Sequence, residues 1–298
     1  MISYLSKARP TKFRGVALVR LDFNTEDEWR MEASLPTLRL LLGRGMSIVV
    51  MSHRGRPKGF DKKLSLKKDA KRLSKYLKRN VRFIPHFRFG EIKQMIAASP
   101  AGSVFVLENL RFLLGEERNS KALGKTLATL GNIYVNDAFA VSHRDDASVD
   151  AITRFLPKYA GLELEAELTH LSRAMRKPKR PLVLILGGGK AHDKLGVIRY
   201  FAKKAHAILV GGASGNTILK FRGIEVGNSR VDAEAADRPM LKKFAKFPKI
   251  VTPIDSRELK TAMVDIGPRT EKLFANYISR ARTVIWSGPM GVIEEKRF

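Results

Sequence analysis

Leu182-Val183-Leu184-Ile185-Leu186-Gly187-Gly188-Gly189-Lys190-Ala191-His192-Asp193-Lys194 runs from an unbroken apolar segment into three glycines and two lysines four residues apart. The apolar run reads as a strand and the residues after it as a helix start. Three glycines let the backbone turn tightly and leave no Cβ between its N–H groups and an anion. A helix starting here puts Lys190 and Lys194 one turn apart on one face. Strand, glycine turn and lysine-bearing helix start are how proteins hold polyphosphate. The P-loop spacing fails, because Leu184 stands at its first glycine position and Ala191 follows the lysine. By itself the stretch favours phosphate binding only modestly over a glycine-rich turn with two solvated lysines.

Working outward, the same rhythm recurs. Val16–Leu21, Ser47–Met51, Val81–Ile84, Val104–Leu107 and Ile133–Val135 precede it as strand candidates. Ala207–Val210, Lys249–Thr252 and Thr283–Trp286 follow. These runs are continuously apolar, as a parallel sheet buried on both faces requires, and they alternate with helical patterns. That predicts a doubly wound α/β architecture. One long helix pattern, Leu162 to Met175, breaks the rhythm, and Arg176-Lys177-Pro178-Lys179-Arg180-Pro181 stops it. A domain boundary is placed there, with five strands before it and four after.

The chain has 298 residues, 44% of them hydrophobic, and no apolar run near the ~20 residues a bilayer span needs. It has no cysteine, which excludes disulfides, Fe–S clusters and thiolate zinc and fits a cytoplasmic setting. Its histidines form no H-x-x-x-H pair, so no metal site is assigned. The net charge of +27 favours anionic partners. Fifteen Lys/Arg fall between Arg54 and Lys93, and ten between Arg173 and Lys204. Much of the first block reads as the solvated face of an amphipathic helix, Leu66–Leu77.

The strand exits carry the chemistry. They read Asp22-Phe23-Asn24, Ser52-His53-Arg54-Gly55-Arg56, Glu108-Asn109-Leu110-Arg111 and Asn136-Asp137 through His143-Arg144. Polar turns are the bland reading of each, but four of them form a ring on one sheet edge, where parallel sheets bind ligands. Arginine grips phosphate bidentately, so the ring predicts an anionic substrate. No carboxylate pair, G-x-S-x-G or cysteine supports acid–base or covalent hydrolysis. Trp286-Ser287-Gly288-Pro289-Met290-Gly291-Val292-Ile293-Glu294 is either a wall for an adenine or a plain turn.

Taken in order, VRLDFN, SLPT, SHRGRPKG, ENLRF, GEE, YVNDAF, SHRDDAS, ILGGGKAHDK, DIGPRT and WSGPMGV resemble phosphoglycerate kinase along nearly the whole chain. The resemblance implies two Rossmann-like doubly wound parallel-sheet domains joined by a hinge helix. They comprise a 3-phosphoglycerate domain (1–160), an interdomain helix and linker (161–180) and a nucleotide-binding domain (181–298). It implies reversible phosphoryl transfer between 1,3-bisphosphoglycerate and ADP, giving 3-phosphoglycerate and ATP, in line across a closed cleft. It places Asp22 and Asn24 on the acid's hydroxyl and carboxylate. Arg30 falls on the transferring phosphoryl group, and His53, Arg56, Arg111 and Arg144 complete the ring. Gly188, Lys190, Lys194, Gly211, Gly212, Pro289, Val292 and Glu294 match the nucleotide positions. Arg30, Lys190 and Lys194 are implied to neutralise most of the charge. ATP or ADP with Mg²⁺ is the implied nucleotide, in a cytoplasmic, non-membrane monomer.

The chain also departs from that family. The loop from Asn24 to Arg30 is short, Asp145-Asp146 follow Arg144 where their charge would weaken anion binding, and Ser287 replaces an asparagine. The family's Gly-Gly-Gly-Asp turn, whose aspartate engages the nucleotide's Mg²⁺, does not appear before Phe298, so the second domain reads as incomplete. Its absence should leave Thr283–Trp286 near a sheet edge. Three readings follow: an active short kinase, a fragment needing a companion chain, or a non-catalytic protein that binds anions or RNA through charge.

Overall fold

The computed structural model describes residues 2–9, 13–232, 234 and 237–293. The chain forms two compact units, Met1–His170 and Leu171–Phe298.

The first unit comprises β1 (Val16–Arg20), α1 (Glu28–Gly43), β2 (Ser47–Met51), α2 (Lys67–Leu77), β3 (Val81–Ile84), α3 (Phe89–Ala97), β4 (Val104–Leu107), α4 (Lys121–Ala128), β5 (Ile133–Asn136) and β6 (Lys158–Ala160). Helix α5 (Leu162–Arg176) begins in it, and the division between the units falls within that helix. The sheet has order β3-β4-β2-β1-β5-β6 with every pair parallel.

Successive side chains of a strand point to opposite faces, so a continuously apolar strand feeds two cores. Ala17 and Val19 pack with Leu35, Leu38 and Leu41 of α1 and Leu73 of α2. Leu18, between them, packs with Ile92 and Ile96 of α3 and Leu127 of α4. The chain moves one way through the sheet from β1 to β3 and the other way from β3 to β5. Right-handed crossovers therefore put α1 and α2 on one face and α3 and α4 on the other. β6 escaped the sequence reading because Lys158-Tyr159-Ala160 is short and not an apolar run.

The second unit comprises β7 (Leu182–Leu186), α6 (His192–Phe201), β8 (Ala207–Val210), α7 (Gly212–Phe221), α8 (Arg238–Ala245), β9 (Ile250–Val251), β10 (Ser256–Leu259), β11 (Ala262–Ile266), α9 (Pro268–Ser279) and β12 (Thr283–Ser287). Its parallel sheet has order β12-β7-β8-β9. Residues from α6, α7 and α8 (Leu195, Ile198, Ile218, Leu241 and Phe244) pack on one face, and Phe274 of α9 on the other. β12 is an edge strand among the described residues, with Val284 and Trp286 exposed.

The antiparallel hairpin β10–β11 was not anticipated. Its two-residue turn is Lys260-Thr261, both at positive φ (48° and 65°). Such turns normally announce themselves as Asn-Gly or Asp-Gly, and this one does not.

Candidate functional site

In the first unit the exits of β1, β2, β4 and β5 are bound to one another. The Asn24 side-chain oxygen accepts from the Gly55 N–H at 2.7 Å, joining the loops after β1 and β2. The Ser52 hydroxyl donates to the Leu21 carbonyl and accepts from the Phe23 N–H. Asn109 donates to the Arg54 carbonyl at 2.8 Å, and Arg111 donates to the Gly55 carbonyl at 2.6 Å. The loops are held by side chains whose identity is specific, because each must both reach and match a backbone group.

The cations converge on His53, which is fully buried. Burial first, then Arg20, Arg111, Arg144 and Arg54, push its pKa down to about 2, so it stays neutral. Arg56 and Arg144 in turn act on Arg111, whose own pKa is lowered, foremost by burial. Arg54 is tied up, with Asp69 at 2.8 Å and Glu26 at 2.5 Å. Arg111 meets Glu117 at 3.1 Å.

Asp22 and Arg30 form a separate pair at 2.8 Å. Arg30 stands in the first turn of α1, and the short loop brings it onto Asp22. They line a cavity of about 140 Å³ with Trp29, Phe139 and Glu163. His53, Arg56, Arg111 and Arg144 lie outside that lining.

Two carboxylates behave differently from their sequence reading. Asp146 is buried, and burial raises its pKa while Arg111, Arg20 and Arg144 pull it back, so it sits within the cation cluster rather than as a simple exposed repellent of anions. Asp137 caps α5, accepting from the N–H groups of Glu163 at 3.0 Å and Leu164 at 3.1 Å. Burial nevertheless pushes its pKa up to about 6.

In the second unit backbone replaces side chain. The turns after β7, β8 and β12 meet through glycine. The Gly188 N–H donates to the Pro289 carbonyl at 2.7 Å and the Gly187 N–H to Ser287 at 2.9 Å. Gly188, Gly212 and Gly288 have φ of 91°, 56° and 83°. A Cβ on Gly187 would strike the Pro289 carbonyl, and one on Gly211 the Met290 sulfur. Val292 donates to the Val264 carbonyl at 2.9 Å, which ties the last turn to β11.

The two lysines do not share a helix face. α6 starts at His192, so Lys190 precedes it on the glycine turn and is exposed, while Lys194 lies inside it and donates to Ser287 at 2.8 Å. The three glycines use up the residues that would otherwise open the helix. Arg230 lies over Gly189, an unanticipated cation at the turn. Trp286 is 62% exposed, its indole bonded to the Gly288 carbonyl. Glu294 lies outside the described residues.

The family model for phosphoglycerate kinase matches residues 14–298. The chain belongs to the phosphoglycerate kinase family. A phosphoglycerate kinase of Geobacter metallireducens is 40% identical over 330 residues, covering 100% of this chain and 82% of the relative. That of Pseudothermotoga lettingae is 39% identical over 313 residues, covering 94% and 79%. Among solved structures, phosphoglycerate kinase from Coxiella burnetii superposes with a TM-score of 0.79 at 29% identity, covering 100% of this chain and 82% of that one. The enzyme from Pyrococcus horikoshii OT3 gives 0.83 at 26%, covering 100% and 83%. The chain is accordingly a phosphotransferase with Rossmann-like units. No helix among the described residues is long and apolar enough to cross a membrane.

The family's nucleotide substrates come with Mg²⁺. Among the described residues the one convergent group of three ligating side chains is His192, Glu234 and Asp237. Its imidazole is already bonded to Asp237 at 2.7 Å. Mg²⁺ takes oxygen ligands and keeps several waters, so this set does not suit it.

Proposed function

We propose that this chain transfers a phosphoryl group reversibly between 1,3-bisphosphoglycerate and ADP, giving 3-phosphoglycerate and ATP. The first unit takes the three-carbon acid, and the second takes the nucleotide. The observation that carries the first assignment is the field on His53, whose imidazole burial first and then four arginines keep neutral. Such a field attracts carboxylate and phosphate and repels any cation. Arg56, Arg111 and Arg144 supply the charge, and His53 a neutral hydrogen bond. Asp22, Asn24 and Arg30 contact the acid's hydroxyl, its carboxylate and the phosphoryl group.

On the second unit, Gly188, Gly211 and Gly212 shape the turns that take the phosphates, with the N–H groups of Gly188 and Gly211 already given to Pro289 and Leu186. Lys190 and Lys194 neutralise them. Pro289 and Val292 line the base and ribose side. Phosphoryl transfer of this kind needs positioning and charge neutralisation more than a strong base, and no buried carboxylate pair is required.

A coupled assay of the purified chain with ATP and 3-phosphoglycerate tests the reading, with binding of each ligand measured separately by calorimetry. Turnover with both ligands bound is the expected result. Binding of nucleotide and acid without turnover overturns the reading of this chain as an active kinase while leaving the two binding assignments standing. A nucleic-acid role rests on net charge alone, and such binding weakens steeply with salt.

A further inference from the structure

Four fully buried polar side chains from four segments form a chain behind the cation cluster: Glu116, Ser148, Arg20 and His53. The Ser148 hydroxyl donates to one Glu116 oxygen, and the Ser148 N–H donates to the other at 3.0 Å. Arg20 Nε donates to Ser148 Oγ at 2.9 Å, and Arg20 Nη2 meets His53 Nδ1 at 2.9 Å. Arg20 Nη1 donates to the Leu21 carbonyl. The Tyr134 hydroxyl holds the Ser148 carbonyl at 2.8 Å.

With Glu116 ionised opposite Arg20, every link has a single direction. A guanidinium has five donors and no acceptor, so His53 Nδ1 must accept. The Ser148 oxygen accepts from Arg20 and gives its own hydrogen to the ionised Glu116. The carboxylate accepts at both oxygens and is the buried counter-charge Arg20 requires. Burial pushes the Glu116 pKa up, and Arg20 pulls it back. A neutral imidazole that accepts at Nδ1 carries its single hydrogen at Nε2. Nε2 is buried and has no partner among the described residues.

We propose that Glu116, Ser148 and Arg20 are positioning residues that fix His53 as its neutral Nε2–H tautomer, a one-way hydrogen-bond donor to an oxygen of the bound three-carbon acid. The proposal rests on the assignment of His53 to that acid. It extends the site inward to residues that touch no ligand. It also gives the GEE stretch and the serine after Asp145-Asp146-Ala147 a chemical task.

The test begins with the free protein, labelled with ¹⁵N histidine. Long-range ¹H–¹⁵N spectra are expected to show His53 bare at Nδ1 and protonated at Nε2, without titrating between about pH 5 and 8. A proton on Nδ1, or titration in that window, overturns the proposal, and this arm needs neither substrate nor turnover. Ser148→Ala is expected to mix the tautomers and to raise KM for 3-phosphoglycerate roughly tenfold while leaving KM for ATP unchanged. In a His53→Gln background the same change should add nothing to KM. An undiminished effect there, or equal losses for both substrates, assigns a merely structural role and overturns the proposal. Glu116→Gln should shift the tautomer in the same sense as Ser148→Ala, and an unshifted tautomer in the folded variant removes Glu116 from the chain. If the wild-type tautomer is as expected but His53→Gln leaves KM unchanged, the substrate assignment fails and the tautomer result stands.

Discussion

The candidate binding regions of the two units are built from different materials. In the first unit, side chains of specific identity do the work: arginines, a buried histidine, and the asparagines and serines that tie loop to loop. In the second, glycines bring three turns together backbone to backbone, and the side chains that matter stand at the rim. The first is therefore electrostatically tense, since its cations repel one another and lean on buried carboxylates. The second is sterically tense, since several of its positions have no room for a Cβ. A side-chain site tolerates loss of one group by degrees, whereas a backbone site fails when a turn is pushed open.

The sharpest way to break that contrast is Gly187→Ala. The new Cβ runs into the Pro289 carbonyl, so the turns after β7 and β12 must separate. A loss of about 3 kcal/mol is expected in chemical denaturation, with nucleotide binding lost in calorimetry. An alanine that costs nothing would show the glycine contact to be incidental.

Lys190→Ala comes next. Lys190 is exposed and precedes α6, so folding should be unaffected while turnover falls about a hundredfold, read in the coupled assay. An equal fall in thermal stability would make Lys190 part of the turn's architecture instead.

Asp137 tests the first unit's electrostatic tension. Its folded pKa, about 6, lies above its ordinary value of 3.8, so the folded state holds a proton that the unfolded chain has lost. Stability should then fall as pH rises from about 4 to 6, by on the order of 2 kcal/mol. Asp137→Asn should flatten that slope in denaturation curves taken across the window.

The smallest expected effect belongs to His192. Asp237 raises its pKa, first through their hydrogen bond. Whatever stability the pair adds is present below the ordinary histidine pKa and is lost as pH rises through the higher folded value. Asp237→Asn should return the His192 titration, followed by NMR, to the ordinary range.

Much of this was legible in the chain. Nine apolar runs became strands because a strand covered on both faces must be apolar at every position. β6 and the β10–β11 hairpin were not legible, since neither is a continuous apolar run and the turn Lys260-Thr261 lacks glycine. Arg56, His53, Arg111 and Arg144 could be named from the strand exits. Arg20 could not, because an arginine inside an apolar strand gives no sign that it is buried against a serine and a glutamate far along the chain. Arg230 was hidden for a similar reason, standing 41 residues after Gly189 and meeting it only through the fold.

By itself the sequence determined the α/β class and the residue types at each strand exit, because periodicity and local spacing are properties of the chain, and its ordered motifs carried the resemblance to the family. Tertiary structure alone decided how those residues are spent. It put Lys190 outside the helix and Lys194 within it, placed Asp146 within the cation cluster, made Asp137 a helix cap, and set Arg20 between Ser148 and His53. The physical reason is that charge and hydrogen bonding depend on distance and burial. Both are fixed only when segments more than a hundred residues apart, such as those of Arg20 and Ser148, close on one another.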